Sequence, residues 1–197
     1  MTLSIQFWFE FASTYSYLSA MRIEDAAGRH GVKVDWQPFL LGPIFAAQGW
    51  NDSPFNLYPA KGDYMWRDME RLTTQRGLPF QRPGIFPQNG LKAARLTLAI
   101  KDAAPKAKFV RAVYSAEFAD GQNIADDDVL AGCLSAVGLS AGFIDQAQDP
   151  AIKAALIEQS KTAQAKGLFG APSFLVGDEL FWGDDRLDDA IKLAAEI

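Results

Sequence analysis

The chain reads as an α/β protein, a mixed four-stranded sheet carrying a large all-helical insertion. Three observations predict this. The chain opens on strand, helix, strand. It closes on strand, strand, helix. Between them, residues 42–167 carry helical periodicity and loops but no strand pattern.

Residues 3–9, LSIQFWF, are a short, uninterrupted, aromatic-rich run, the pattern of a buried strand. Ser13 then occupies an N-cap position. Tyr17, Leu18, Met21, Ile23 and Ala26 follow at roughly helical spacing, so one helix is expected from there to Gly31. A second strand, VKVDWQPFL, spans 32–40. This order implies a parallel pair with a right-handed crossover. Residues 42–60 hold five prolines or glycines and several aromatics, and read as a structured loop. A helix over 61–76 is closed by Gly77; 82–90 is a loop; another helix spans 91–102. Pro105 opens the next, through about Phe118. Short helices fit 126–137, 140–147 and 150–166. The last has Asp149 as N-cap, Pro150 at N1 and Gly167 just past its end. Runs 173–176 and 179–182, joined by Gly177-Asp178, form a hairpin. Asp184 caps a final helix through Ala195. The expected organisation is a discontinuous sheet domain, 1–41 and 168–197, around an insertion and crossover helix at 42–167.

Composition narrows the function. With 197 residues, the chain fits one domain, and 49% apolar residues allow a sizeable core. The net charge of −5, with no long basic run, argues against nucleic acid. Cys133 is the only cysteine, so no internal disulfide or cysteine-rich metal site can form. It sits inside an Ala/Leu helix and reads as a small core residue. His30 is the only histidine, which removes multi-histidine metal sites. A Ser-His-Asp triad would have to run through His30, late in a helix on a polar face. Asp126, Asp127 and Asp128 suit the dipole of a helix start. The N-terminus lacks the charge order of a signal peptide, and no stretch of about 18 apolar residues exists. A soluble, cytoplasmic protein is expected, without membrane partners, in a compartment that suits a lone thiol.

Ser13-Thr14-Tyr15-Ser16 has the spacing of a Cys-x-x-Cys redox motif, with serine at both sulfur positions. At a helix N-terminus the backbone N–H groups are unpaired and the dipole end is positive, so an anion is stabilised there. Thiol–disulfide exchange needs an attacking thiolate, and this motif has none. No adjacent base activates Ser13 as a nucleophile. Its hydroxyl is a donor, and as a plain N-cap it contributes about 1 kcal/mol.

The two halves, with a motif loop after the first strand and Pro172 opening the third, resemble a thioredoxin-like fold, and the large insert resembles its DsbA-like branch. Within that branch, Phe7-x-Phe9-x-Phe11-x-Ser13-x-Tyr15-Ser16-Tyr17-Leu18 is similar to the start of 2-hydroxychromene-2-carboxylate isomerases and kappa-class glutathione transferases. Pro59-x-Lys61-Gly62-x-Tyr64-Met65 resembles their middle segment. Phe169-Gly170-Ala171-Pro172-Ser173-Phe174 and Phe181-Trp182-Gly183-x-Asp185-Arg186-Leu187 resemble their C-terminal half. Two positions depart from the pattern. Thr14 stands where proline is usual, and Leu57 stands where the isomerases have a basic residue after the asparagine.

The resemblance implies glutathione as cofactor, its thiolate held by Ser13. A hydroxyl hydrogen bond to a charged acceptor contributes roughly 1.5–3 kcal/mol, and the dipole about 0.3–1 kcal/mol. At about 1.4 kcal/mol per pKa unit, the thiol falls by about one to three units. Ala171-Pro172 resembles the cis-proline of the fold, which leaves the Ala171 N–H and C=O free for an extended tripeptide. In Trp182-Gly183-Asp184-Asp185, helix-start amides would receive the γ-glutamyl carboxylate and an aspartate its ammonium; Trp182 belongs to this glutathione-binding segment, or serves only as an apolar lid or core residue. Asn56 and Lys61 match positions that face glutathione or the substrate, and Lys61 offers a point charge to a substrate carboxylate. Asn89 matches a further substrate-side position. The implied protein is a homodimeric, glutathione-dependent isomerase. Its substrate would be a small aromatic keto acid such as 2-hydroxychromene-2-carboxylate. A kappa-like transferase for small electrophiles and a non-catalytic thioredoxin-like binding module are the alternatives.

Overall fold

The computed structural model describes residues 3–196. Strands β1 (Ser4–Phe9), β2 (Lys33–Pro38), β3 (Ser173–Val176) and β4 (Glu179–Trp182) form one sheet in the order β2-β1-β3-β4. β1 runs parallel to β2, with Phe7 opposite Trp36, and antiparallel to β3, with Phe7 opposite Phe174. β3 and β4 form the expected hairpin, Leu175 opposite Leu180.

Side chains alternate across the sheet, as a period of two requires. Ile5, Phe7, Phe9, Phe174 and Val176 enter the larger core; Trp8 and Leu175 enter a smaller one on the other side. Aromatic rings continue the larger core beyond the strand: Phe9 meets Phe11 at 5.4 Å, and Phe11 meets Tyr114 at 5.2 Å. That chain of rings ties the end of β1 to the helical insertion.

The helix expected from Ser13 to Gly31 is two helices, α1 (Thr14–Ala20) and α2 (Ile23–Gly28). Arg22, at φ −124°, leaves helical geometry between them. Its guanidinium donates to the Asp184 carbonyl and the Asp188 carboxylate, 3.0 and 2.7 Å away. The segment read as loop contains α3 (Leu41–Ala47) and α4 (Pro54–Leu57). Pro43 and Pro54 fall in first turns, where a missing N–H breaks no helical bond.

α5 (Pro59–Arg76) starts with proline at N1 and stops at Gly77, whose φ of 64° favours glycine. α6 (Leu91–Ala99) ends three residues early. α7 (Ala103–Phe118) takes Asp102 as N-cap, so Pro105 lies inside its first turn and does not open it. α8 (Asp127–Ala136) follows. Residues Ala141–Gln148 form a 3-10 helix. α9 (Pro150–Ala165) is capped as expected, with the Ala151 N–H donating to Asp149 at 2.7 Å. A 3-10 turn, Asp184–Arg186, precedes α10 (Leu187–Glu196). Among the described residues the Asp184 carboxylate accepts from Ser19 and Arg76 and from no helix-start N–H, which corrects its expected capping role. Among the described residues no helix is long and apolar enough to cross a membrane.

Candidate active site

The end of β1, the start of α1 and the segment before β3 converge on Ser13. The turn is set by the Ser13 N–H, which donates to the Glu10 carbonyl at 3.0 Å. Ser13 Oγ accepts the Ser16 N–H at 3.2 Å, as an N-cap hydroxyl should. The hydroxyl itself donates to the Ala171 carbonyl at 2.9 Å. The Ala171–Pro172 peptide is cis, and the β1–β3 register ends at Ser173, so the sheet does not claim that carbonyl. The Ala171 C=O is thus unpaired by the sheet, as expected, and is engaged instead by the Ser13 hydroxyl. The single hydroxyl proton must turn from Ala171 to meet an arriving anion. The helix N–H on Oγ stays in place and polarises the hydroxyl toward donation.

A cavity of about 1220 Å³ opens over Ser13. One wall is Phe169–Pro172 with Trp182–Asp185. The Trp182 and Phe169 rings lie 4.9 Å apart, both roughly half exposed, as a lid side chain would be. Gly170 permits this, since a Cβ there would fall far inside contact with Trp182 Nε1. Phe45, Trp50, Phe55 and Phe86 add an apolar wall among polar neighbours such as Asp52 and Gln88. A second cis bond, Phe86–Pro87, shapes this side and carries no sequence signal of its isomer.

Asp184 is 4% exposed. Its carboxylate accepts from Arg76 through both guanidinium nitrogens, at 3.1 and 2.5 Å, and from Ser19 Oγ at 2.9 Å. A buried carboxylate is held this way because a bidentate guanidinium offsets its desolvation. Asp185 is the exposed member of the pair, with the Arg186 guanidinium 3.7 Å from its carboxylate.

Lys61 lines the cavity, its ammonium 4.8 Å from the centre of the Tyr58 ring. Asn56 does not line it. Its amide donates to Asp52 and to the Phe86 carbonyl, so it ties the apolar wall together. Asn89 is exposed, and its amide oxygen accepts the Leu91 N–H at the start of α6. Its neighbours Phe86, Pro87 and Gln88 line the cavity in its place. Gly62 has a structural reason within its motif: a Cβ there would strike the Phe55 carbonyl, so α4 packs directly on α5.

Among the lining residues that the sequence did not single out, three carry polar groups placed by distant partners or by burial. Tyr15 donates to Asp68 at 3.0 Å, and burial together with that carboxylate pushes its hydroxyl pKa up. Arg76 belongs to the Asp184 cluster. The third is Glu10, whose signal was present as a lone charge inside Phe9-Glu10-Phe11. Burial raises the Glu10 carboxyl to about 7, against a backbone hydrogen bond at Ala12 that lowers it. Cys133 is buried, its thiol pushed up to about 11 chiefly by burial. His30 is exposed after α2.

This fold and this site define a thioredoxin-like protein whose motif carries hydroxyls in place of thiols. Residues 4–193 match the model of the DSBA-like thioredoxin domain, and the chain belongs to that family. It is 33% identical over 191 residues to the 2-hydroxychromene-2-carboxylate isomerase of Sphingobium xenophagum, covering 95% of this chain and 96% of that one. It is 28% identical to the isomerase of the same name from Pseudomonas putida, over 93% and 90%. A solved 2-hydroxychromene-2-carboxylate isomerase superposes with a TM-score of 0.89 at 24% identity, over 98% and 95%. The chain is an enzyme, an isomerase like these relatives.

Proposed function

We propose that the chain is a glutathione-dependent isomerase of 2-hydroxychromene-2-carboxylate or a similar aromatic keto acid. The observation that carries this is Ser13, a polarised hydroxyl at the start of α1 facing a cavity with no thiol of the chain's own. Cys133 is buried on α8 and is held protonated, so a reactive sulfur has to come from outside.

The residues present fit glutathione. The cavity exceeds the roughly 300–1,000 Å³ of a site for one drug-sized ligand, which leaves room for a tripeptide and a substrate together. Ser13 Oγ would meet the sulfur, the Ala171–Pro172 segment the peptide backbone, and Trp182 and Gly183 the γ-glutamyl end. Asp185 would face the ammonium there, since Asp184 is committed to Arg76. Bound glutathione supplies a nucleophilic thiolate that adds reversibly to a conjugated carbon, turning a double bond into a bond free to rotate. The chain's part is to hold that sulfur as an anion. A hydroxyl donor contributes roughly 1.5–3 kcal/mol toward this and the α1 dipole about 0.3–1 kcal/mol. Phe45, Trp50, Phe55 and Phe86 offer flat apolar surface to an aromatic substrate, and Lys61 a charge to its carboxylate.

One observation favours a second reading. Asp52, held by Asn56, lines the cavity where the isomerases carry a basic residue nearby and this chain has Leu57. A carboxylate there suits a neutral electrophile, and with it a kappa-like transferase. Incubation with the chromene and glutathione decides between them. Interconversion with the glutathione pool undiminished is expected, whereas an accumulating conjugate selects the transferase. Absence of calorimetric binding of glutathione overturns both.

A further inference from the structure

Glu10 and Glu117 are a pair of interacting carboxyl groups that the proposed function does not use. Glu10 lines the cavity three residues before Ser13. Its backbone is fixed twice, by the Ser13 N–H at 3.0 Å and by the Tyr114 hydroxyl at 2.9 Å, both donating to its carbonyl. Gly90 leaves the wall thin beside it: a Cβ there would come 3.5 Å from Glu10 Oε1 and 2.8 Å from Phe11 Cβ. Deeper in, Glu117 of α7 is fully buried, and neither of its carboxyl oxygens has a partner.

The groups facing Glu10 can be named. α7 contributes Glu117 and Tyr114. The segment before α6 contributes the Gly90 backbone. The N-cap of α1 contributes the Ser13 N–H, on the Glu10 carbonyl. Among the described residues no cation offsets the burial of Glu10. Burial, and then the charge of Glu10, push Glu117 well above the ordinary carboxyl range, and burial does the same for Tyr114. Of the three, Glu10 alone lines the cavity.

A thiolate at Ser13 and an ionised Glu10 would place two anions in one poorly solvated wall, which is unfavourable. One proton shared between them keeps the site at a single negative charge. We propose that Glu10 is the proton carrier of the site: its carboxylate takes the proton that a thiol gives up beside Ser13 and returns it when the sulfur leaves. The S–H bond breaks, an O–H bond forms on Glu10, and the electron pair stays on sulfur; the reverse restores both. This rests on the thiol-binding reading above.

Calorimetric titration of glutathione in two buffers of different ionisation enthalpy, at about pH 8, counts protons released; ultraviolet absorbance counts thiolate formed. The wild type is expected to form thiolate with almost no proton released. Glu10→Gln, taken to a pH where its bound thiol ionises, is expected to release close to one proton per thiolate. Glu10→Asp keeps a carboxyl and should return the ratio toward zero, which separates proton transfer from a packing effect. Turnover in Glu10→Gln should fall roughly 10²-fold or more, with affinity for S-methylglutathione unchanged. Equal proton release per thiolate in the wild type and Glu10→Gln overturns the proposal. Failure of the thiol-binding reading looks different, because the wild type then shows neither binding heat nor thiolate.

Discussion

The Glu10→Gln variant also has a consequence for stability that needs no ligand. A glutamate with an ordinary pKa of 4.5 is raised here to about 7 by burial. The folded state therefore holds this proton more tightly than the unfolded chain does. The stabilisation is fully present below about pH 4.5 and is lost as the pH rises through about 7. A shift of about 2.5 units at about 1.4 kcal/mol each amounts to about 3 kcal/mol. Glutamine keeps the shape and cannot ionise. The two proteins should be nearly equally stable at acid pH. Above about pH 8 the variant should be more stable by about 3 kcal/mol, or roughly 6–12 °C in Tm for a chain of this size. Urea denaturation over a pH series measures the difference. Parallel curves from acid to alkaline pH would show that the Glu10 carboxyl is solvated, and would refute the reasoning.

Three other perturbations probe separate parts of the site. Ser13→Ala should cost about 1 kcal/mol of stability through the lost cap and raise the pKa of bound glutathione thiol by roughly one to two units; an unshifted thiol titration would remove the donor role. Arg76→Gln leaves the buried Asp184 carboxylate with Ser19 and the more distant Arg22 nitrogen at 3.7 Å, and should cost about 3 kcal/mol in urea denaturation. Adding Asp184→Asn should recover most of that loss, so strictly additive losses would contradict the pairing. Gly170→Ala should push Trp182 off Phe169, seen as a moved indole resonance and weaker glutathione binding; an unmoved resonance would show that the lid tolerates the methyl group.

Much of this architecture is legible in the sequence because it rests on local patterns. The aromatic run at 3–9, the Gly177-Asp178 turn and the Asp149-Pro150 cap each specify their element through nearest neighbours, and the structure has them within a residue or so. The break between α1 and α2 is different. Its periodicity continues across Met21 and Arg22, and the interruption accompanies contacts of Arg22 with Asp184 and Asp188, far along the chain. The short helices α3 and α4 hide behind prolines and glycines that read as loop. Ser13 and Pro172 are visible as site residues because each belongs to a compact motif. Glu10, Arg76 and Asp68 are not, since their partners Glu117, Asp184 and Tyr15 lie tens to over a hundred residues away. Asp184 shows the same limit from the other side: a helix-start aspartate suggests a cap, while its actual bonds go to two other segments.

Those bonds reach further than one side chain. Through Asp184, the end of α5, the α1–α2 junction and the turn before α10 share a single buried anchor, so the insertion is pinned to the sheet at the rim of the cleft. Room for a bulkier guest has to come from the other bank, where the short α3 and α4 stand on stretches without regular structure. Variation in what the enzyme accepts should accordingly concentrate between residues 42 and 58, and leave the pinned side unchanged.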